Sequence, residues 1–309
     1  MNTAAAIDDF PSCAICGAHD WQTIHSGPVR DGVHGKTREA RVARCDGCGV
    51  DRLAESVCLQ ASAYASAEYR DRLLQGHDMQ RHYAEHDELA RFTLDALWPL
   101  SLRGKVVADV GCGGGVLLDH VRGVAARIVA IEPAELFAPS LKERGYAWFP
   151  SANAAAAEYA GKVDVAFSTQ VIEHVEDPRA FLHEIATLLS SEGIALISTP
   201  NRADILMDLL PATFPAFFYR TQHRWAFDAP TLARCAERAG LEVSEMRHVH
   251  RYGVSNTLHW LRDGKPRGRT RMTPIDDAID KHWQAWLESN GRADNLYMTV
   301  RRARGAHSS

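Results

Sequence analysis

The chain has 309 residues, 46% of them hydrophobic and 24% charged, with a formal net charge of -4. That size suits one large domain or a domain with accessories, and the acidic balance argues against a protein dominated by nucleic-acid binding, where a basic surplus is expected. The N-terminal MNTAAAIDDF lacks the basic start and apolar core of a signal peptide. No run of about 18 apolar residues occurs, so a cytoplasmic protein without a membrane span is expected.

The first element, residues 1–58, carries two cysteine pairs, Cys13-x-x-Cys16 and Cys45-x-x-Cys48, each followed by glycine; Cys58, Cys112 and Cys235 stand alone. An odd cysteine count without a signal peptide argues against a disulfide framework. Each CxxC can place two thiolates on one ion, and four thiolates suit tetrahedral zinc in a closed, structural site. A redox dithiol needs only one pair and a thioredoxin-like context, which is absent. The 28 residues between the pairs exceed the usual spacing of about 15 to 20, so they should form a long hairpin. Its Arg- and Gly-rich sequence reads either as a solvated loop or as a segment reaching the active site.

Residues 59–102 are rich in helix formers. Leu89, Phe92, Leu97 and Trp98 fall at near-helical spacing and predict a helical linker.

From residue 103 to 305 strands alternate with helices. KVVADV, RIVAIEP, YAWFP, KVDVAFS, GIALISTPN, EVSEMRHV and NLYMTVRR read as strands; VLLDHV, AELFAPSLKERG, DPRAFLHEIATLLS and APTLARCAERAGL read as helices. This alternation means a doubly wound α/β sheet. The first strand ends in Asp109-Val-Gly111-Cys112-Gly113-Gly-Gly115, which is not the GxGxxG of dinucleotide sites because Val116 stands at the third position after Gly113. Asp109 is unwelcome beside a pyrophosphate but useful beside a cation. Glu132, 21 residues after Gly111, can accept hydrogen bonds from ribose hydroxyls. The ligand should therefore be a positively charged nucleoside without phosphates.

DVGCGGG, AIEP, STQVIEHVEDP and GIALISTPN together resemble the class I S-adenosylmethionine-dependent methyltransferases, over roughly residues 105 to 201. The resemblance implies a seven-stranded Rossmann-like sheet of order 3-2-1-4-5-7-6 with the seventh strand antiparallel. It implies that Asp109, Gly111, Cys112, Gly113, Gly115, Glu132, Pro133 and Gln170 line the cofactor, with the adenine contact near Ser151 to Asn153. The acid usual at that last place is missing.

In the segment QVIEHVEDP, Asp177 and Pro178 make a good N-cap and first helical residue. Phe181, Ile185, Leu188 and Leu189 should form one buried stripe. The next helix is thus placed without help from Glu173 and His174. Three readings of that pair stay open. It bonds to nearby backbone, or His174 is the general base for a hydroxyl acceptor, or the pair binds a metal. The segment is similar to that of the quinone-biosynthesis O-methyltransferases, where a Glu-x-x-Glu-His group binds a divalent cation. Here Gln170 replaces the first acid, which weakens a hard-cation site.

Two insertions, 201–228 and 250–294, are expected as helical caps. They carry Arg220, His223, Arg224, Trp225, His250 and Tyr252, a set of aromatic, guanidinium and imidazole groups suited to sugar rings or acidic small molecules. The alternative is that these residues pack the cap. The basic run Arg262 to Arg271 reads as a solvated loop or a phosphate attractor. The leading expectation is a methyltransferase acting on a small molecule, most directly a sugar or glycan hydroxyl, because the N-terminal ribbon is similar to that of zinc-containing sugar methyltransferases. Alternatives are an rRNA or tRNA base methyltransferase with a zinc module, and a silent cofactor-binding module. The oligomeric state is left open.

Overall fold

The structure is a computed structural model and describes residues 8–32, 36–64, 66, 79–97 and 100–303. In chain order its strands are β1 Trp21–Arg30, β2 Thr37–Cys45, β3 Asp51–Leu53, β4 Val106–Val110, β5 Arg127–Ile131, β6 Ala147–Phe149, β7 Val163–Thr169, β8 Leu189–Pro200, β9 Trp225–Ala226, β10 Leu241–Val249 and β11 Asn295–Arg302. The chain divides into two compact units. The first gathers Met1–Leu59, Pro200–Leu232 and His248–Leu296; the second gathers Gln60–Thr199, Ala233–Arg247 and Tyr297–Ser309. The stretches 201–228 and 250–294 thus fall mostly with the N-terminal ribbon.

The first unit is built on a four-stranded sheet of order β1-β2-β3-β9. β1 and β2 form an antiparallel hairpin from Trp21↔Cys45 to Arg30↔Thr37, so the long gap between the cysteine pairs is the hairpin its length predicts. β9, from the first insertion, pairs with β3 through Asp51↔Ala226 and Arg52↔Trp225. Val29, Val42, Leu53, Cys58, Tyr219 and Ala226 bury one apolar core, and Leu206, Phe214 and Trp260 a second; Met207 and Phe218 border both. Asp51 is fully buried beside these cores. It accepts from Arg44 at 2.8 and 3.2 Å, from the Tyr219 hydroxyl at 3.0 Å and from Arg202, which also binds Asp228. Pairing and hydrogen bonding make such a buried charge tolerable.

The second unit carries the seven-stranded sheet, of order β10-β11-β8-β7-β4-β5-β6. Numbered from β4 within this sheet, that is the 3-2-1-4-5-7-6 order expected. β5, β4, β7 and β8 run parallel, with Asp109 of β4 opposite Ala130 and Phe167. Apart from Asp109 and the exposed Arg127, β4 and β5 are apolar throughout, as strands covered on both faces are.

Two local expectations change. In the helix Pro178–Leu188 the buried face is Leu182, Ile185 and Leu188, and Phe181 is only half-buried. Leu189 is buried too, but as the first residue of β8, which starts earlier than GIALIS suggests and is interrupted between Val163↔Leu189 and Val165↔Ile194. In the helix Met79–Leu97 the buried stripe is Ala90, Thr93, Ala96 and Leu97, spaced i, i+3, i+6, i+7, while Leu89 is exposed. Trp98 lies outside the described residues. Asp177 caps the helix Pro178–Leu188 as expected, accepting the Ala180 N–H at 2.9 Å.

Candidate active site

The glycine turn follows β4. Gly111, Gly113 and Gly115 all have left-handed backbone, with φ of 84°, 52° and 80°. At Gly111 a Cβ would stand 2.4 Å from Val171 Cγ2, and at Gly115 2.8 Å from Leu141 Cδ2, so no larger residue fits either place. The turn is tied to the end of β5. Glu132 Oε2 accepts the Gly113 N–H at 2.8 Å, and Oε1 accepts the Ala134 N–H at 2.9 Å. A carboxylate offers about four lone-pair sites, so one such group can accept from backbone and from a ligand hydroxyl together. From the other side Arg144 donates to Gly114 O at 2.5 Å and to Asp119 at 2.6 Å, and Tyr83 donates to the same carbonyl at 3.2 Å.

Asp109 is buried, and its Oδ1 has no hydrogen-bond partner among the described residues. Burial, and secondarily the Glu132 carboxylate, push its carboxyl up to about 7. An orphaned, reluctant carboxylate of this kind is relieved by a cation. Cys112 is buried with its thiol 3.6 Å from Gly113 O, and burial holds that thiol well above its ordinary range. Pro133 is exposed, as is Asn153 in the first turn of the helix Ala152–Tyr159, which Ser151 caps at 3.1 Å.

At the end of β7 the backbone of Gln170 has φ 57°, an uncommon conformation for a residue with a side chain. Its N–H donates to Ser198 O at 2.9 Å. The left-handed kink turns the chain into Val171, which fills the space against Gly111. Glu173 is only 1% exposed; its Oε2 accepts the Thr199 hydroxyl at 2.9 Å, and its Oε1 lies 3.9 Å from His174 Nε2. The Tyr64 ring packs edge-on against the His174 ring at 5.3 Å. Thr199, Ser198, Arg144 and Tyr83 were not singled out by the sequence, since each acts from a distant segment. Only the ending STP of GIALISTP hinted that β8 delivers hydroxyls there.

The first unit holds the remaining expected residues. Cys13, Cys16, Cys45 and Cys48 offer four sulfurs within 4.8 Å of one another, with Cys13–Cys48 at 3.7 Å and Cys16–Cys45 at 3.5 Å, and none is in a disulfide. A tetrahedral thiolate site with bonds of about 2.3 Å places its sulfurs about 3.8 Å apart. A Cβ on Gly47 would meet Ala18 Cβ at 2.7 Å and Cys16 Sγ at 3.0 Å, so that knuckle requires glycine. Arg224 is buried and paired with Glu55; Trp225 is buried in β9 with the Arg52 guanidinium 5.3 Å from its ring centre. His250 is buried too: its Nδ1 accepts the Asp294 N–H at 3.1 Å, and burial lowers its pKa. Arg220, His223 and Tyr252 are half-buried.

A sheet of this order, a glycine turn fastened to a strand-end acid, and a buried carboxylate in the strand before that turn are the features of the class of S-adenosylmethionine-dependent methyltransferases. Comparison with known proteins agrees. A family model described as a methyltransferase domain matches residues 76–246. The ubiquinone biosynthesis O-methyltransferase of Cupriavidus pinatubonensis is 34% identical over 184 residues, covering 52% of this chain and 70% of that protein. The protein of the same name from Thiobacillus denitrificans is 34% identical over 165 residues, covering 47% and 68%. A chain of the solved complex between the Haloferax volcanii Trm112 methyltransferase activator and a methyltransferase superposes with a TM-score of 0.50 at 14% identity, covering 72% of this chain and 94% of that one, which shows the fold. The chain belongs to this methyltransferase family. It is an S-adenosylmethionine-dependent methyltransferase of small molecules. No helix among the described residues is long and apolar enough to cross a membrane.

Proposed function

We propose that this chain methylates a hydroxyl oxygen of a small molecule, with a sugar or glycan as the acceptor. The observation that carries the oxygen assignment is the His174–Glu173 pair, one imidazole beside one buried carboxylate just past the end of β7. Bound in the glycine turn, S-adenosylmethionine supplies a methyl on an already reactive sulfonium. Asp109 would meet its positive charge and Glu132 its ribose hydroxyls. Gly111, Cys112, Gly113, Gly115 and Gln170 shape the pocket, and Pro133 and Asn153 lie at its adenine edge. His174 takes the hydroxyl proton onto its ring as the new bond forms, and the Glu173 carboxylate stabilises the resulting imidazolium. Positioning supplies much of the rate, up to roughly 7 to 11 kcal/mol of barrier in well-oriented reactions.

Arg220, His223 and Tyr252, half-buried, and Arg224, Trp225 and His250, buried, are the first unit's candidates for recognising the acceptor. The four cysteines hold Zn2+ as a structural ion, since all four coordination positions are taken by thiolate. The relatives, named as O-methyltransferases, support oxygen as the methylated atom; their ubiquinone-biosynthesis name favours a second acceptor class, a hydroxyl on that route. The test is label transfer from S-[methyl-3H]adenosylmethionine to nucleotide sugars, glycosides, ubiquinone-precursor phenols and total RNA. Label in a sugar hydroxyl supports the reading. Label in the phenols moves it to the second class, and label in RNA alone overturns it.

A further inference from the structure

Arg30 ends β1. Its N–H donates to Tyr219 O at 3.0 Å and its carbonyl accepts the Thr221 N–H at 3.0 Å, so its backbone is fixed on both sides. The residue is only 8% exposed. The Phe217 ring centre lies 4.2 Å from the guanidinium carbon. Nε is sealed from solvent without a hydrogen-bond partner. Among the described residues nothing accepts from Nη1 or Nη2 either, yet these two nitrogens are not sealed.

The rest of this unit shows how unusual that is. Arg52 and Arg224 pair with Glu55, Arg202 with Asp51 and Asp228, and Arg251 with Asp294. The fold provides a carboxylate for each of these sequestered guanidinium groups, and among the described residues it provides none for Arg30. Burial draws its pKa down to about 10, and the one group acting to raise it is the Tyr252 phenol. A guanidinium remains charged even so. Leaving a buried charge without a counter-ion is costly, and an arginine that served only packing would be better replaced by an apolar side chain.

We propose that Arg30 is an anion receptor whose fork takes the oxygens of a carboxylate or phosphate borne by a small molecule. The two open Nη groups match the bidentate geometry of such oxyanions. The Phe217 face below fixes the plane of the fork before the ligand arrives. The site lies within the first unit and goes beyond methyl transfer, so it stands or falls apart from that reading.

The experiment is thermal unfolding of the full chain titrated with benzoate, inorganic phosphate, neutral benzamide and, for ionic strength, chloride. In the wild type, benzoate or phosphate raises Tm by roughly 2 °C at tenfold excess over Kd, and benzamide and chloride do not. A response to benzoate alone assigns a carboxylate ligand, and one to phosphate alone a phosphate ligand. Arg30→Met raises the Tm of the free protein and abolishes the response, and Arg30→Lys, which keeps the charge but not the fork, weakens it at least tenfold in Kd. Equal shifts in wild type and Arg30→Met, no shift with either anion, or a lower Tm for free Arg30→Met would each overturn the proposal. S-adenosylhomocysteine affinity, read in parallel, is unchanged by Arg30→Met; its absence from the wild type would sink the methyltransferase reading and not this one.

Discussion

The Thr199 hydroxyl donates to the buried Glu173 carboxylate at 2.9 Å, so the end of β8 helps to hold the acid of the EHV segment. Thr199→Val keeps the shape and removes the donor. Leaving a buried acceptor unsatisfied costs about 1–3 kcal/mol, so urea unfolding should show a loss near 2 kcal/mol. Thr199→Ser should restore most of it. Equal losses for Val and Ser would mean that packing, not the hydrogen bond, is what Thr199 contributes.

His174→Ala should leave S-adenosylhomocysteine affinity intact and lower kcat by about 100-fold, within the usual range for removing a general base. Single-turnover methyl transfer reads this directly. An unchanged kcat would remove His174 from the chemistry and leave the pair with a structural role.

Asp109 should make cofactor binding pH-dependent. Burial raises its carboxyl from 3.8 to about 7, so folding favours the neutral form. Any stability it adds is present below the unfolded value and is lost as pH rises towards 7. A cationic ligand favours the ionised form instead. Binding near pH 6 should therefore release a proton, and affinity should weaken up to about tenfold per pH unit below 7. Calorimetry in two buffers of different ionisation enthalpy counts that proton. Asp109→Asn should release none.

Much of this was legible in the sequence because it is periodic or local. The strand order was implied by the resemblance to the class I methyltransferases, and Asp177-Pro178 announced its helix by capping chemistry alone. The hairpin between the cysteine pairs followed from a gap too long for a tight loop. What the sequence did not show depends on distant partners. Nothing beside Arg144 says that it braces Gly114, 30 positions earlier. For Arg224 and Trp225 the sequence left a substrate wall and cap packing both open; their partners lie far off in the chain, Glu55 against Arg224 and Arg52 against Trp225, which sits in β9. Arg30 is the converse: in the sequence it is one arginine among many, and it is marked out by burial without a carboxylate partner among the described residues.

The cysteine site predicts one zinc per chain by elemental analysis of protein purified without chelator. Strong chelation should unfold the first unit before the second, seen as early loss of hydrogen-exchange protection in β1 and β2 while β4 and β7 stay protected. Cys45→Ser should reproduce that pattern without chelator. Simultaneous loss in both sheets would contradict a site that holds only the ribbon.

The central claim, that the glycine turn with Asp109 and Glu132 is the cofactor pocket, is tested most directly by the Kd of S-adenosylhomocysteine for the wild type, Asp109→Ala and Glu132→Ala. Losing a hydrogen bond to a charged group costs about 1.5–3 kcal/mol, so each variant should bind roughly 10- to 150-fold more weakly while remaining folded. Wild-type affinity in both variants would contradict the account.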